Sequence, residues 1–247
     1  MPSPTPSPST DQLTAGPAER VVRDVVQSWA GSSPRGVIFD FNGTLSDDEP
    51  ILREIFSELF AEHLGWELSE AEYYERLAGH SDREIVEVVV AEHAPHDPAL
   101  VEELLRLRRE RYRQKVARRS PITAGAVGLV QRLADDGVPM AIVTGAQLPD
   151  VQCVLASSPA GEHLRLLVTE EDVARGKPDP QGFLMGSALL DLKPERILVF
   201  EDSVPGVKAA TAAGMPCIGV SGERGFSSLH TVTDAVVPAL TPSLLDR

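Results

Sequence analysis

Short runs of consecutive apolar residues, each ending abruptly in polar residues and separated by helical stretches, constrain this chain more than any other feature. Gly36-Val37-Ile38-Phe39-Asp40-Phe41 reads as a buried strand that ends in a polar turn. Residues 138–144 form a second such run, 196–200 a third that ends in Glu201-Asp202, and 216–220 a fourth. Residues 233–237 and Leu164–Thr169 are further strand candidates. Helical spacing covers 125–136, 148–156, 180–191 and 204–213 between them. Strands that are apolar at every position are covered on both faces, and alternation with helices is how a parallel sheet achieves this. The expected fold class is α/β, with a Rossmann-like parallel sheet core.

Residues 50–118 break that rhythm. They are helical in pattern throughout, and even the β-branched Val86–Val90 sits among helix-period residues. The block falls between the first and second core strands, so it is expected to be an inserted α-helical cap standing over the strand ends. Residues 1–17 are rich in Pro, Ser and Thr and are expected to be a disordered tail. The expected division is therefore a tail over 1–17, a core over 18–49 and 119–247, and a cap over 50–118. Val21, Val22, Val25, Val26 and Trp29 recur at helical spacing. They predict a helix packed on the core, with a docking surface for another subunit as the alternative.

Charge narrows the range of partners. The 247 residues carry a formal net charge of -14. So acidic a surface repels nucleic-acid phosphates and anionic lipid, and neither nucleic acid nor membrane is an expected partner. A small phosphorylated substrate can still bind where a metal and a few cations correct the local field. Cys153 and Cys217 lie far apart without metal-ligand spacing and are expected to be small apolar residues, not a disulfide. The start lacks a basic region followed by an apolar run, and no apolar run reaches membrane-spanning length. The expectation is a cytoplasmic protein, monomer or homodimer.

Functional groups of a parallel α/β sheet collect at the carboxyl ends of its strands. Asp40 and Asn42 follow the first strand, Thr144 and Gly145 the second, and Glu201 and Asp202 the third. Lys177 lies in Arg175-Gly176-Lys177-Pro178-Asp179-Pro180, a turn leading into a helix. Taken singly, these residues could end strands, sit on a solvated loop or cap a helix. Taken together they supply a carboxylate nucleophile, carboxylates for a hard cation, a hydroxyl donor and a fixed ammonium, the parts that phosphoryl transfer requires.

Four segments carry a family resemblance. Phe39-Asp40-Phe41-Asn42-Gly43-Thr44-Leu45-Ser46-Asp47-Asp48-Glu49-Pro50 resembles the first motif of the haloacid dehalogenase-like hydrolases. Ile142-Val143-Thr144-Gly145 resembles the second, Gly176-Lys177-Pro178-Asp179 the third, and Phe200 to Ala210 the fourth, in the correct order. The resemblance implies that Asp40 attacks phosphorus to form an aspartyl-phosphate. It implies Mg2+ held by Asp40, the Asn42 backbone carbonyl and Asp202, with Glu201 as a ligand or a supporting partner. Thr144 and Lys177 would hold the phosphoryl oxygens, and backbone N–H groups around Asn42, Gly43 and Gly145 would add donors. The implied reaction is hydrolysis of a small phosphate monoester, such as a sugar phosphate.

The chain departs from the family at Asn42, where phosphatases carry an Asp that protonates the leaving oxygen and then activates water. An amide hydrogen-bonds but does not exchange a proton in this role. Three readings stay open. His80, Asp47 or Asp48 substitutes; the substrate has a good leaving group; or the protein is a catalytically impaired binder of phosphorylated ligands. Leu77-Ala78-Gly79-His80-Ser81-Asp82-Arg83 resembles the family's substrate-selecting cap loop, which makes His80 and Arg83 candidate substrate contacts. Aldose phosphomutases of the β-phosphoglucomutase-like group carry His where this chain has Leu52 and Arg where it has Asp82, so a phosphomutase is disfavoured. The cap has no Lys before Lys115 for Schiff-base chemistry on a phosphonate. The basic run from Leu105 to Lys115 is expected to be a solvated helix face paired with cap glutamates, or else a lure for an anionic substrate.

Overall fold

The computed structural model describes residues 16–77, 80, 82–94, 98–222 and 227–246. Six strands form one sheet: β1 (Gly36–Phe39), β2 (Met140–Val143), β3 (Leu166–Val168), β4 (Ile197–Glu201), β5 (Cys217–Val220) and β6 (Val236–Val237). Their spatial order is β3-β2-β1-β4-β5-β6, and every pairing is parallel. Every residue of β1, β2 and β4 is buried, as their unbroken apolar runs require. β1 and β4 are neighbours in register, Phe39 opposite Phe200, with their rings stacked 5.4 Å apart. Asp40 and Glu201 therefore leave the sheet side by side. This is the Rossmann-like parallel fold that the strand pattern predicts.

Helices cover the sheet on both faces. On one side α1 (Pro17–Ala30) buries Val22, Val26 and Trp29 in the main core, and the Trp29 indole donates to the Gly36 carbonyl at 2.9 Å. The helix is thus packed on the core. Its Pro17 lies one residue inside the segment expected to be tail, whose residues 1–15 are outside the described residues. The same core holds α6 (Ala124–Asp135) and α7 (Leu148–Ala156). On the other face α8 (Gln181–Leu190) and α9 (Val204–Ala212) enclose Ile38, Val143 and Val199. Thr123 and Ser203 cap α6 and α9 through their side chains.

Between the loop after β1 and Arg118 the described chain is built of helices joined by short turns. It runs through α2 (Glu49–Leu64), the short α3 (Glu70–Glu72), a π-helical turn at Tyr73–Leu77, α4 (Asp82–His93) and α5 (Pro98–Arg118). Val86–Val90 lies within α4, where Val86, Val89 and Val90 are buried. Gly65 ends α2 in the left-handed conformation (φ 63) that favours glycine. The turn expected at Gly79 lies outside the described residues.

Three of the α5 cations pair with glutamates as expected, Arg106 on the solvated side and Arg111 and Lys115 partly covered. Arg106 pairs with Glu103 and Glu110, Arg111 with Glu58 and Glu62, and Lys115 with Glu54 and Glu58. Arg108 corrects that expectation. Its side chain is 8% exposed, with Nε 2.8 Å from Asp82 and Nη1 2.9 Å from Asp150 of α7.

Candidate active site

Asp40 follows β1 directly, and its backbone N–H donates to the Phe200 carbonyl of β4 at 2.9 Å. Its carboxylate is buried and accepts a hydrogen bond from Lys177. The same ammonium donates to Glu201 Oε1 at 2.5 Å. Glu201 is fully buried, and its other oxygen accepts from the Ser203 backbone N–H at 2.7 Å and hydroxyl at 2.9 Å. Both oxygens of Glu201 are therefore committed, and it acts as the seat of Lys177. Gly206, in the first turn of α9, is obligatory here: a Cβ would lie 1.7 Å from Glu201 Oε1.

Asp202 completes the cluster. Oxygens of Asp40, Glu201 and Asp202 can all lie within 4.8 Å of one another, an all-carboxylate donor set suited to a hard divalent cation. Gly43 (φ 77) lets Asp202 approach, since a Cβ there would stand 2.0 Å from Asp202 Oδ2. Thr44 donates weakly to the other oxygen at 3.5 Å. Burial pushes Asp40 up to about 7; Lys177 opposes that rise and Glu201 adds to it. Burial, then Asp40 and Glu201, push Asp202 well above the usual carboxylate range. For Lys177, burial alone would weaken the ammonium, but Asp40 and Glu201 outweigh it and its pKa is raised. Three carboxylates crowd one ammonium, so the cluster fits a group that brings positive charge.

Thr144 and Gly145 follow β2, the strand on the other side of β1. The Thr144 backbone N–H donates to Val168 of β3, and its hydroxyl oxygen accepts from the Ala146 N–H at 3.0 Å. That arrangement leaves the hydroxyl proton as a donor. Gly145 is exposed, and a Cβ there would meet open space.

Asn42 is exposed in the loop after Asp40. Its side-chain N–H donates to Asp48 Oδ2 at 2.6 Å, and the Tyr112 hydroxyl of α5 donates to the same oxygen at 2.7 Å. Asp48 is 1% exposed, and its Oδ1 has no hydrogen-bond partner. Burial raises Asp48 to about 6, with the Tyr112 and Asn42 hydrogen bonds opposing the rise. A parallel contact joins Tyr73 to the next carboxylate, Glu49, at 2.9 Å.

Two of the sequence candidates are held elsewhere. Arg83 pairs with Glu102 at 2.9 Å and Glu87 at 3.4 Å, and His80 lies 3.9 Å from Glu84; both are more than half exposed. Among the described residues, neither is bonded to the strand-end cluster. Asp47 is exposed, so of the two nearby carboxylates only Asp48 meets Asn42.

The family profile of the haloacid dehalogenase-like hydrolases matches residues 34–214, and the chain belongs to that family. Among its relatives, it is 31% identical over 199 residues to validoxylamine A 7'-phosphate phosphatase of Streptomyces hygroscopicus subsp. limoneus, covering 74% of this chain and 84% of the relative. It is 32% identical over 210 residues to hexitol phosphatase A of Escherichia coli, covering 83% and 91%. The crystal structure of CbbY from Rhodobacter sphaeroides in complex with phosphate aligns with a TM-score of 0.71 at 27% identity, covering 86% of this chain and 99% of that one.

Proposed function

We propose that this protein is a Mg2+-dependent phosphatase that hydrolyses a small phosphate monoester through an aspartyl-phosphate on Asp40. The observation that carries the reading is the buried Asp40 carboxylate, bonded to Lys177 and grouped with Asp202 at the ends of adjacent strands. An oxygen of Asp40 bonds to phosphorus as the ester P–O bond breaks, and the released alkoxide takes a proton from solvent water and leaves as the alcohol. Water then attacks phosphorus, the Asp40 O–P bond breaks, and phosphate leaves. Lys177 neutralises Asp40 and the incoming phosphoryl oxygens, and the Thr144 hydroxyl and the Asn42 and Gly145 N–H groups would donate to them, the Gly43 N–H being given to the Ser46 carbonyl at 2.8 Å. Asp40, Asp202 and the Asn42 carbonyl would hold Mg2+, which supplies charge neutralisation at the transferring group.

The helical insert would serve as the substrate-selecting cap, a reading supported by the bond from its Tyr112 to Asp48 in the loop that follows the nucleophile. Names of the relatives point to a polyhydroxylated phosphate, such as a sugar or sugar-alcohol phosphate. Asp82 is engaged by Arg108, and a carboxylate there does not favour the second phosphate of a mutase intermediate. His80 and Arg83 would reach substrate only by leaving their present glutamate partners. No helix among the described residues is long and apolar enough to cross a membrane. Free thiols at Cys153 and Cys217 suit the reducing cytoplasm.

A panel of phosphate esters tested with Mg2+ and with chelator, for wild type and Asp40→Ala, decides the matter. Metal-dependent turnover that Asp40→Ala abolishes supports the reading. Turnover that survives Asp40→Ala defeats it. The second reading, a binder of phosphorylated ligands without catalysis, is favoured by Asn42. It prevails if wild type binds such a ligand but turns over no ester.

A further inference from the structure

We infer that Tyr112, acting through Asp48, is a positioning residue that fixes the side-chain amide of Asn42 so that its carbonyl oxygen is the end offered to the reacting centre. The inference rests on Asp40 being the nucleophile, as proposed above. A primary amide has two chemically opposite ends, one donating and one accepting. On an exposed side chain nothing intrinsic selects between them. Here the amino end is committed, because Asn42 Nδ2 donates to Asp48 Oδ2 at 2.6 Å. Asp48 accepts at that oxygen from the Tyr112 hydroxyl as well, at 2.7 Å. The accepting Asp48 and the donating Tyr112 are each 1% exposed, so water does not readily replace the phenol at that oxygen.

Tyr112 is itself held. Arg108, one helical turn earlier on α5, lies over its ring with the guanidinium 4.7 Å from the ring centre. Arg108 in turn is fixed between Asp82, at the start of α4, and Asp150 of α7. A connected set of buried polar groups thus runs from the helical insert to the residue two places after the nucleophile.

The consequence is chemical. An amide oxygen cannot remove a proton from water, but it can accept a hydrogen bond and align the water for attack. In that step the water oxygen bonds to phosphorus while the Asp40 O–P bond breaks, and the water protons leave with the phosphate. An amide turned the other way would offer N–H groups, which would hold the phosphoryl or leaving oxygen and not the water.

The test uses p-nitrophenyl phosphate with Mg2+ and four proteins: wild type, Tyr112→Phe, Asn42→Ala and the double variant. Tyr112→Phe removes one hydroxyl and should lower kcat about ten-fold with KM changed by less than about two-fold, the size of one lost charge-assisted hydrogen bond. In the Asn42→Ala background the same change should have no further effect. An equal loss in both backgrounds, or no loss in wild type, overturns the proposal, because a merely structural tyrosine would act without regard to Asn42. A second measurement needs no turnover. The Asn42 side-chain amide signals in a 1H–15N spectrum of the full chain, assigned by their loss in Asn42→Ala, should move in Tyr112→Phe. Should wild type hydrolyse no ester, the phosphatase reading fails on its own, and unmoved amide signals then overturn the positioning role separately.

Discussion

Two places near the β1 loop bury charge, and they differ in balance. At the strand ends Asp40, Glu201 and Asp202 share the ammonium of Lys177. On the inward face of α5, Arg108 sits between Asp82 and Asp150, Arg113 gives Asp150 a second cation at 3.4 Å, and a phenol and an amide serve Asp48. Buried charge persists when it is partnered. The ion pairs of the α5 set match two cations to two carboxylates and read as architecture, while Asp48 beside them has no cation and keeps one oxygen unbonded. The strand-end set has an excess of negative charge that its own residues do not correct; burial first, and neighbouring carboxylates after it, raise Asp40 and Asp202, and the set favours an incoming cation. Imbalance in a buried charge set marks a site that acts on something else.

The sharpest way to break this contrast is to remove the cation from each set. Lys177→Met should leave no measurable phosphatase turnover, and Mg2+ should raise its thermal midpoint more than that of wild type, because an added cation meets the uncompensated carboxylates. Arg108→Leu should cost about 3–5 kcal/mol of stability, as expected when one partner of a buried ion set is removed. Mg2+ should not restore that loss in denaturant titrations. If Mg2+ rescues Arg108→Leu, the two regions are not distinct.

Asp48 gives the next largest effect, with a defined sign. Its folded value, about 6, lies above the reference 3.8. The folded state therefore binds its proton more tightly, and the stabilising contribution is complete below about 4 and is lost as pH rises to about 6. Relative to Asp48→Asn in chelator, wild-type stability should fall over that window by up to about 3 kcal/mol and then level off. A flat difference would show that Asp48 does not titrate there.

Asn42→Asp alone would place two carboxylates in contact at the 2.6 Å position now held by the amide. The double change Asn42→Asp with Asp48→Asn should therefore outperform the single one. It should raise turnover about 10²-fold on esters with poor leaving groups and less on aryl phosphates. Equal rates for the single, the double and wild type would mean that another residue moves the proton. The smallest effect belongs to Arg106→Ala, two residues from Arg108 but 54% exposed. It should change stability by less than about 1 kcal/mol.

The sequence made the strand-end carboxylates legible because they follow unbroken apolar runs, and it made Lys177 legible through the Gly176-Lys177-Pro178-Asp179 segment. Asp40 follows Phe39 and Glu201 follows Phe200, so in a parallel sheet both arrive at the same edge. The α5 set was hidden. Arg108 lies in a run of arginines that by composition reads as a solvated face. The missed signal is positional: the buried residues of α5 are Val101, Leu104, Leu105, Arg108, Tyr112 and Val116, so Arg108 occupies the apolar stripe. Its partners are 26 and 42 positions away in sequence, at 82 and 150, and nothing local announces them. The Asn42–Asp48 contact was within reach as one of several candidate carboxylates. Its selection over Asp47 depended on Tyr112 arriving from another helix.

Of the two tryptophans, one lies against the sheet and one in the helical insert. Trp29 is buried beneath the sheet, with its indole tied to the first residue of β1. Trp66 follows α2 in the helical insert and stacks on His93 at 4.2 Å. The sheet core and the helical insert thus each contain one tryptophan. The Trp66 emission carries an adjacent imidazole as a built-in quencher, and the Trp29 emission is shielded from water. Loosening of the insert over an intact sheet is therefore an optical event, visible without any label.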